Sequence, residues 1–215
     1  MKKILFIMAA FLIACTAKAT DPKYMLAMER NVALIDTANG VATFIGANNA
    51  FERIGNANPT EWLPIYYRAF CTIMIGMKQA TPLKMDEYYD KAELLINHAD
   101  SLSPNNSEIV VLQSWINSMK ISIDPMTRGQ KLGLLSAMLT EKAIKLNPEN
   151  PRAYFLKGSG LFYTPANYGG GKEKALPILE IAMEKFKAAK HENNIVPKWG
   201  EDVTATLLEQ CKKPE

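Results

Sequence analysis

Beyond residue 20 the apolar positions of this chain recur at intervals of three and four, the spacing that gathers side chains on one face of a helix. One ladder of such positions repeats. It runs from a small residue to an apolar one four on, another three further, and a proline five beyond that. It reads Ala47–Phe51–Ile54–Pro59, then Ala92–Ile96–Ala99–Pro104, and more weakly Ser136–Thr140–Ala143–Pro148. A last copy, Ala175–Leu179–Ala182, has Lys187 where the proline would fall. The first three positions form a stripe along a helix, and a proline just past them cannot extend the hydrogen-bond ladder. Each copy therefore predicts a helix and its stop. Ten positions after each proline stands a small residue, at Ala69, Ser114 and Gly158, where a second helix can approach closely. The pattern is one of repeated helix pairs.

Start signals agree with this reading. Thr60 can cap a helix ahead of Glu61, and Asp124-Pro125 and Asn150-Pro151 each pair a capping side chain with a proline in the first turn. Pro64 falls in a first turn, where its missing N–H costs little. Pro177 lies five residues into a helix that Lys172 would open, which predicts a later start or a kink. No stretch alternates with period two, so no strand is expected. The expected helices span 22–37, 40–57, 60–79, 84–101, 105–121, 125–146, 151–163, 173–190 and 199–211.

These ladders, each with a preceding helix carrying a small residue, resemble the tetratricopeptide repeat. The nearest approach to that pattern is "PENPRAYFLKG", Pro148 to Gly158, followed by Ala175–Leu179–Ala182. The resemblance covers most of 40–190. The segments "FERI…PTEWLPIYY" and "TPANYGGGKEKALP" are also similar to exported tetratricopeptide-type proteins of Gram-negative bacteria. The period departs from the family, since the first three prolines stand 45 and 44 residues apart where the family repeats at about 34. The extra length falls around 77–88, 121–129 and 164–171, between the helices of each pair. Thr140 also replaces a bulky residue.

The resemblance implies an all-α fold: about four antiparallel helix pairs in a right-handed superhelix, with 20–215 as one domain. The helix at 199–211 would cap it through Trp199, Val203, Leu207 and Leu208. It further implies that the first helix of each pair lines a concave groove. Positions five, nine and thirteen of those helices are Tyr66, Phe70 and Met74, then Val111, Trp115 and Met119, then Phe155, Ser159 and Tyr163. Aromatic residues there suit an extended peptide or an amphipathic helix. The competing reading is that an inserted segment or the terminal helix fills the groove and makes these residues core. In function the resemblance implies a protein-binding or scaffolding module for an unnamed protein or peptide. The alternative is a small-ligand-binding or transporter-accessory periplasmic protein.

The N-terminus supplies an address. Lys2 and Lys3 precede an apolar run from Ile4 to Cys15, and Ala17-Lys18-Ala19 offers a cleavage site before Thr20. Twelve residues span roughly 18 Å as a helix, short of a bilayer core of about 30 Å. Residues 1–19 therefore read as a signal peptide, leaving a periplasmic or secreted protein. Leu12-Ile13-Ala14-Cys15 resembles a lipobox, which would instead anchor the protein to a membrane through Cys15.

Charge and chemistry narrow the classes further. The chain has 25 basic and 22 acidic residues, and loss of Lys2, Lys3 and Lys18 would leave the two balanced. That gives no electrostatic case for nucleic acid. Cys71 and Cys211 alone form no disulfide framework and are expected as free thiols. The histidines are His98 and His191, and no H-E-x-x-H or C-x-x-C motif occurs, so no metal, cofactor or catalytic constellation is expected. Gly169-Gly170-Gly171-Lys172 lacks the strand and the following hydroxyl of a phosphate loop, and reads as a connection. Asp86, Glu87, Asp90 and Glu93 read as a solvated helix start. An enzyme is not expected.

Overall fold

The computed structural model describes residues 21–213 except 39, 191 and 192. Among them the order is α1 (Pro22–Asp36), α2 (Val41–Ala57), α3 (Trp62–Gly76), α4 (Pro82–Leu102), α5 (Ser107–Ile123), α6 (Pro125–Leu146), α7 (Pro151–Tyr163), α8 (Lys172–Ala188) and α9 (Glu201–Lys212). A 3-10 turn, Ala166–Tyr168, lies between α7 and α8, and the described residues contain no strand. The expected signal peptide, its Ala19/Thr20 cleavage site, Cys15 and His191 lie outside the described residues.

Side chains open five of the helices. Asp21, Thr81, Asn106, Asp124 and Asn150 each accept a bond from a backbone N–H of the first turn, satisfying an amide the helix cannot. The start of α3 departs from expectation: it opens at Trp62 behind Glu61, with no side-chain cap, so Thr60 does not serve it. Pro177 does not delay α8, which starts at Lys172 and carries the proline inside. Pro177 deprives only the carbonyl of Glu173 of its partner, and Glu173 is exposed, where water can serve that carbonyl.

The repeated ladders are the buried faces of the second helices. Ala47, Phe51, Ala92, Ile96, Ala99, Thr140, Ala143, Ala175, Leu179 and Ala182 are all buried. Pairs α1/α2, α3/α4, α5/α6 and α7/α8 follow one another, each first helix from α3 onward also packing on the preceding pair. Close approach is enforced at the expected Gly158 and also at Gly76, which the ladders did not mark. A Cβ added at Gly158 would stand 2.7 Å from the Leu179 Cγ of the partner helix, and one at Gly76 would stand 2.8 Å from Tyr89 Cε1. Two core clusters result, one built mainly on α1–α5 and one on α5–α9, and Trp115 and Trp199 border both.

The carboxylates at the start of α4 do more than face water. Asp86 accepts from both terminal nitrogens of Arg128 on α6, at 2.7 and 2.6 Å. Lys120 on α5 lies 2.7 Å from Asp90 and 2.6 Å from Glu93. The bonds from Arg128 hold the Asp86 carboxyl below its ordinary value of 3.8. A depressed folded value means the stabilisation is complete above 3.8 and is lost as pH falls through the lowered one. Asp86→Asn is therefore expected to lower the melting temperature at neutral pH, where the contribution is fully present, and to flatten the acid limb of the profile below pH 3.8. A limb of unaltered steepness would contradict this.

Among the described residues Cys71 and Cys211 are free thiols. Burial pushes the Cys71 thiol up to about 12, which keeps it protonated and unreactive. No helix among the described residues is long and apolar enough to cross a membrane.

Candidate functional site

Helices α3, α5 and α7 lie in succession, α5 touching both neighbours. Their fifth, ninth and thirteenth positions form three tiers of a strip. Tyr66, Val111 and Phe155 of the first tier are buried. In the second, Phe70 is buried while Trp115 and Ser159 are half-buried. In the third, Met74 and Met119 are half-buried and Tyr163 is 71% exposed. Exposure thus grows toward the C-terminal ends of the three helices.

The chain itself covers the first two tiers. After α8 the backbone returns across the strip and is fastened at two points. Tyr67 Oη donates to the carbonyl of Ile195 at 2.7 Å, and Trp199 Nε1 donates to Tyr66 Oη at 2.9 Å. The Trp199 ring stacks on Trp115, with centroids 4.9 Å apart, and lies 5.8 Å from Phe70 and 6.2 Å from Phe155. Gly200, at φ 108°, turns the chain into α9, and a Cβ there would stand 3.0 Å from Phe186.

A buried ion pair supports this plug. Arg152, at the start of α7, donates from Nε and Nη2 to the two oxygens of Glu108 on α5, at 2.8 and 2.6 Å. Its guanidinium lies 5.9 Å from the Trp199 ring centroid. Tyr66 Oη accepts from Trp199 and can donate to Glu108 Oε2, 3.4 Å away. Burial, and then the Glu108 charge, push the Tyr66 hydroxyl well above its ordinary value, so it stays neutral. The hydroxyls of Tyr66 and Tyr67, the Trp199 indole and the Glu108 carboxylate are thereby all partnered beneath the plug.

Of the nine residues that the repeat pattern assigns to the groove, Tyr66, Phe70, Val111 and Phe155 are core. Met74 and Met119 are half-buried against the first core cluster, Tyr163 is exposed, and Ser159 and the stacked Trp115 are half-buried. The sequence left open that the terminal helix fills the groove; the residue that enters the strip is Trp199, which was expected inside that capping helix and instead lies just ahead of α9. The available signal was the apolar Ile195-Val196-Pro197 followed by Trp199-Gly200 in an otherwise polar connection. In the capping helix itself Leu207 and Leu208 are buried, while Val203 is 52% exposed. No cluster of three or more His, Cys, Asp or Glu able to hold a metal occurs among the described residues.

No family model matches the sequence, and no curated protein matches it. Among solved structures, the chain is similar to the HusA haemophore from Porphyromonas gingivalis. Identity is 34%, the TM-score is 0.81, and the match covers 90% of this chain and 95% of that one. The chain belongs to the HusA haemophore family. A thermophilic TPR protein in Thermus thermophilus is also similar, with a TM-score of 0.63 at 15% identity, over 87% of this chain and 80% of that one. That likeness carries the fold alone, and it agrees with the repeat read from the ladders. This member of the HusA family is an all-α array of TPR-like helix pairs and a helical binding module.

Proposed function

We propose that the chain is an exported, non-catalytic carrier of a flat apolar ring of the haem class, held at the open end of the concave strip. The observation that carries this reading is the plug. With Ile195 and Trp199 seated on the first two tiers, no continuous groove remains for an extended peptide. What the tail leaves least covered is the third tier, where Tyr163 is exposed and Met74 and Met119 are half-buried against the first core cluster; this tier is the proposed shelf. Aromatic faces and thioethers pack well against a planar π-system, and Met and Tyr are side chains that can also reach haem iron. His98, the described histidine, sits on the exposed side of α4 and takes no part. The 34% identity to a haemophore supports the same ligand class. The signal-like residues 1–19 support export.

Haemin added to the purified protein is expected to shift its Soret band and to quench the Trp115 and Trp199 fluorescence to saturation. Tyr163→Ala combined with Met119→Gln should weaken binding by at least about tenfold, or about 1.4 kcal/mol, with little change in melting. Absence of any spectral change would reject the reading, as would affinity indifferent to both substitutions. Intact mass of the protein recovered from cells would separate a free Thr20 terminus from a lipidated Cys15.

A further inference from the structure

We propose that the outward face of α6 is a docking surface for an anionic lipid bilayer. Of the 22 residues in α6 only Thr140 and Ala143 are buried. Its inward side is set by Ser136, whose hydroxyl meets that of Ser114 on α5 at 2.8 Å, and by Leu139, half-buried against the second core cluster. At about 100° per residue the opposite side gathers Lys131, Leu134, Leu135, Met138, Lys142 and Lys145 into one stripe. Leu134 is 66%, Leu135 39% and Met138 61% exposed, where a solvated helix would carry polar groups. A shallow depression of about 440 Å³ lined by Met138, Lys142 and Lys145 runs along it.

Charge decides the occupant. The carboxylate in this stretch, Glu141, is taken by Lys157 of α7 at 2.6 Å. Lys131, Lys142 and Lys145 have no carboxylate partner among the described residues, so with Glu141 taken by Lys157 the positive charge of the stripe is uncompensated. Three apolar side chains framed by uncompensated ammonium groups match a lipid interface, with apolar groups at the acyl boundary and lysines reaching up to phosphates. A second copy meeting the stripe face to face would set lysines against lysines. The surface acts through α6 and needs no lipid on Cys15.

The test uses the chain from Thr20, which contains every described helix and lacks Cys15, sedimented with phosphatidylglycerol-containing or pure phosphatidylcholine vesicles. Binding to the anionic vesicles is expected to be at least about tenfold tighter, and added salt should release it. Each lysine near the surface contributes about fivefold, so Lys142→Glu with Lys145→Glu should weaken binding more than about tenfold. Leu134→Ser with Met138→Ser should weaken it comparably. All four positions are exposed, so melting temperatures should match the unsubstituted chain. Haemin titrations should also be unchanged, which separates this outcome from that of the concave strip. The proposal is overturned by equal binding to both lipids, by no binding to either, or by insensitivity to both double substitutions. A dimer abolished by those substitutions, in place of vesicle binding, would also overturn it.

Discussion

Arg152→Ala is expected to lower the stability of the folded protein by about 3–5 kcal/mol, or roughly 10 °C in melting temperature for a chain of this size. The reason is the charge left behind. Glu108 makes two short bonds to Arg152 on one side, and its side chain is only 16% exposed. Removing the guanidinium strands a carboxylate under Trp199 with the Tyr66 hydroxyl as its remaining side-chain donor. Replacing both partners, Glu108→Leu with Arg152→Met, should recover much of the loss, because the desolvation penalty disappears with the charges. Urea melts of the three proteins decide the matter. A double variant as unstable as Arg152→Ala would mean that shape, not charge, sets the requirement.

Trp199→Ala should act on stability and binding together. Truncating a large core side chain costs about 3–5 kcal/mol. Trp199 is half-buried, so a loss near the lower end, about 3 kcal/mol, is expected. The same change takes the indole donor from Tyr66 and the stacking partner from Trp115. A fluorescent dye that reports exposed apolar surface should bind the variant where it does not bind the parent. Haemin affinity should fall by about tenfold or more, since the stacked pair forms the inner wall of the proposed shelf. Intact haemin binding beside strong dye binding would move the ring site away from Trp199.

The contrast between fold and site has a physical origin. Helix ladders are local signals: Ala92, Ile96 and Ala99 announce a buried face within eight residues, and Asp124-Pro125 announces a start within two. The register of α7 and its small residue Gly158 was legible for the same reason. The plug was open only as one of two readings, and its contacts were not legible, because they join residues remote in sequence. Nothing near Tyr66 indicates that Trp199 will cover it. The aromatic stripe over α3, α5 and α7 was visible, but whether water, a ligand or the chain's own tail would face it depends on a contact that periodicity cannot encode. Similarly, Asp86, Asp90 and Glu93 look like a solvated helix start until Arg128 and Lys120 are brought across to them.

An array of helix pairs with only neighbouring contacts behaves as a one-dimensional system, able to fray from either end while its middle stays folded. The Trp199–Tyr66 bond spans 133 residues, and Trp199 touches α3, α5 and α7 at once. That single return stroke turns an open row into a closed circuit, in which a segment late in the chain completes the packing of helices much earlier in it. Melting then becomes one shared event, and a chain cut short before Trp199 would have its repeats formed but unsealed.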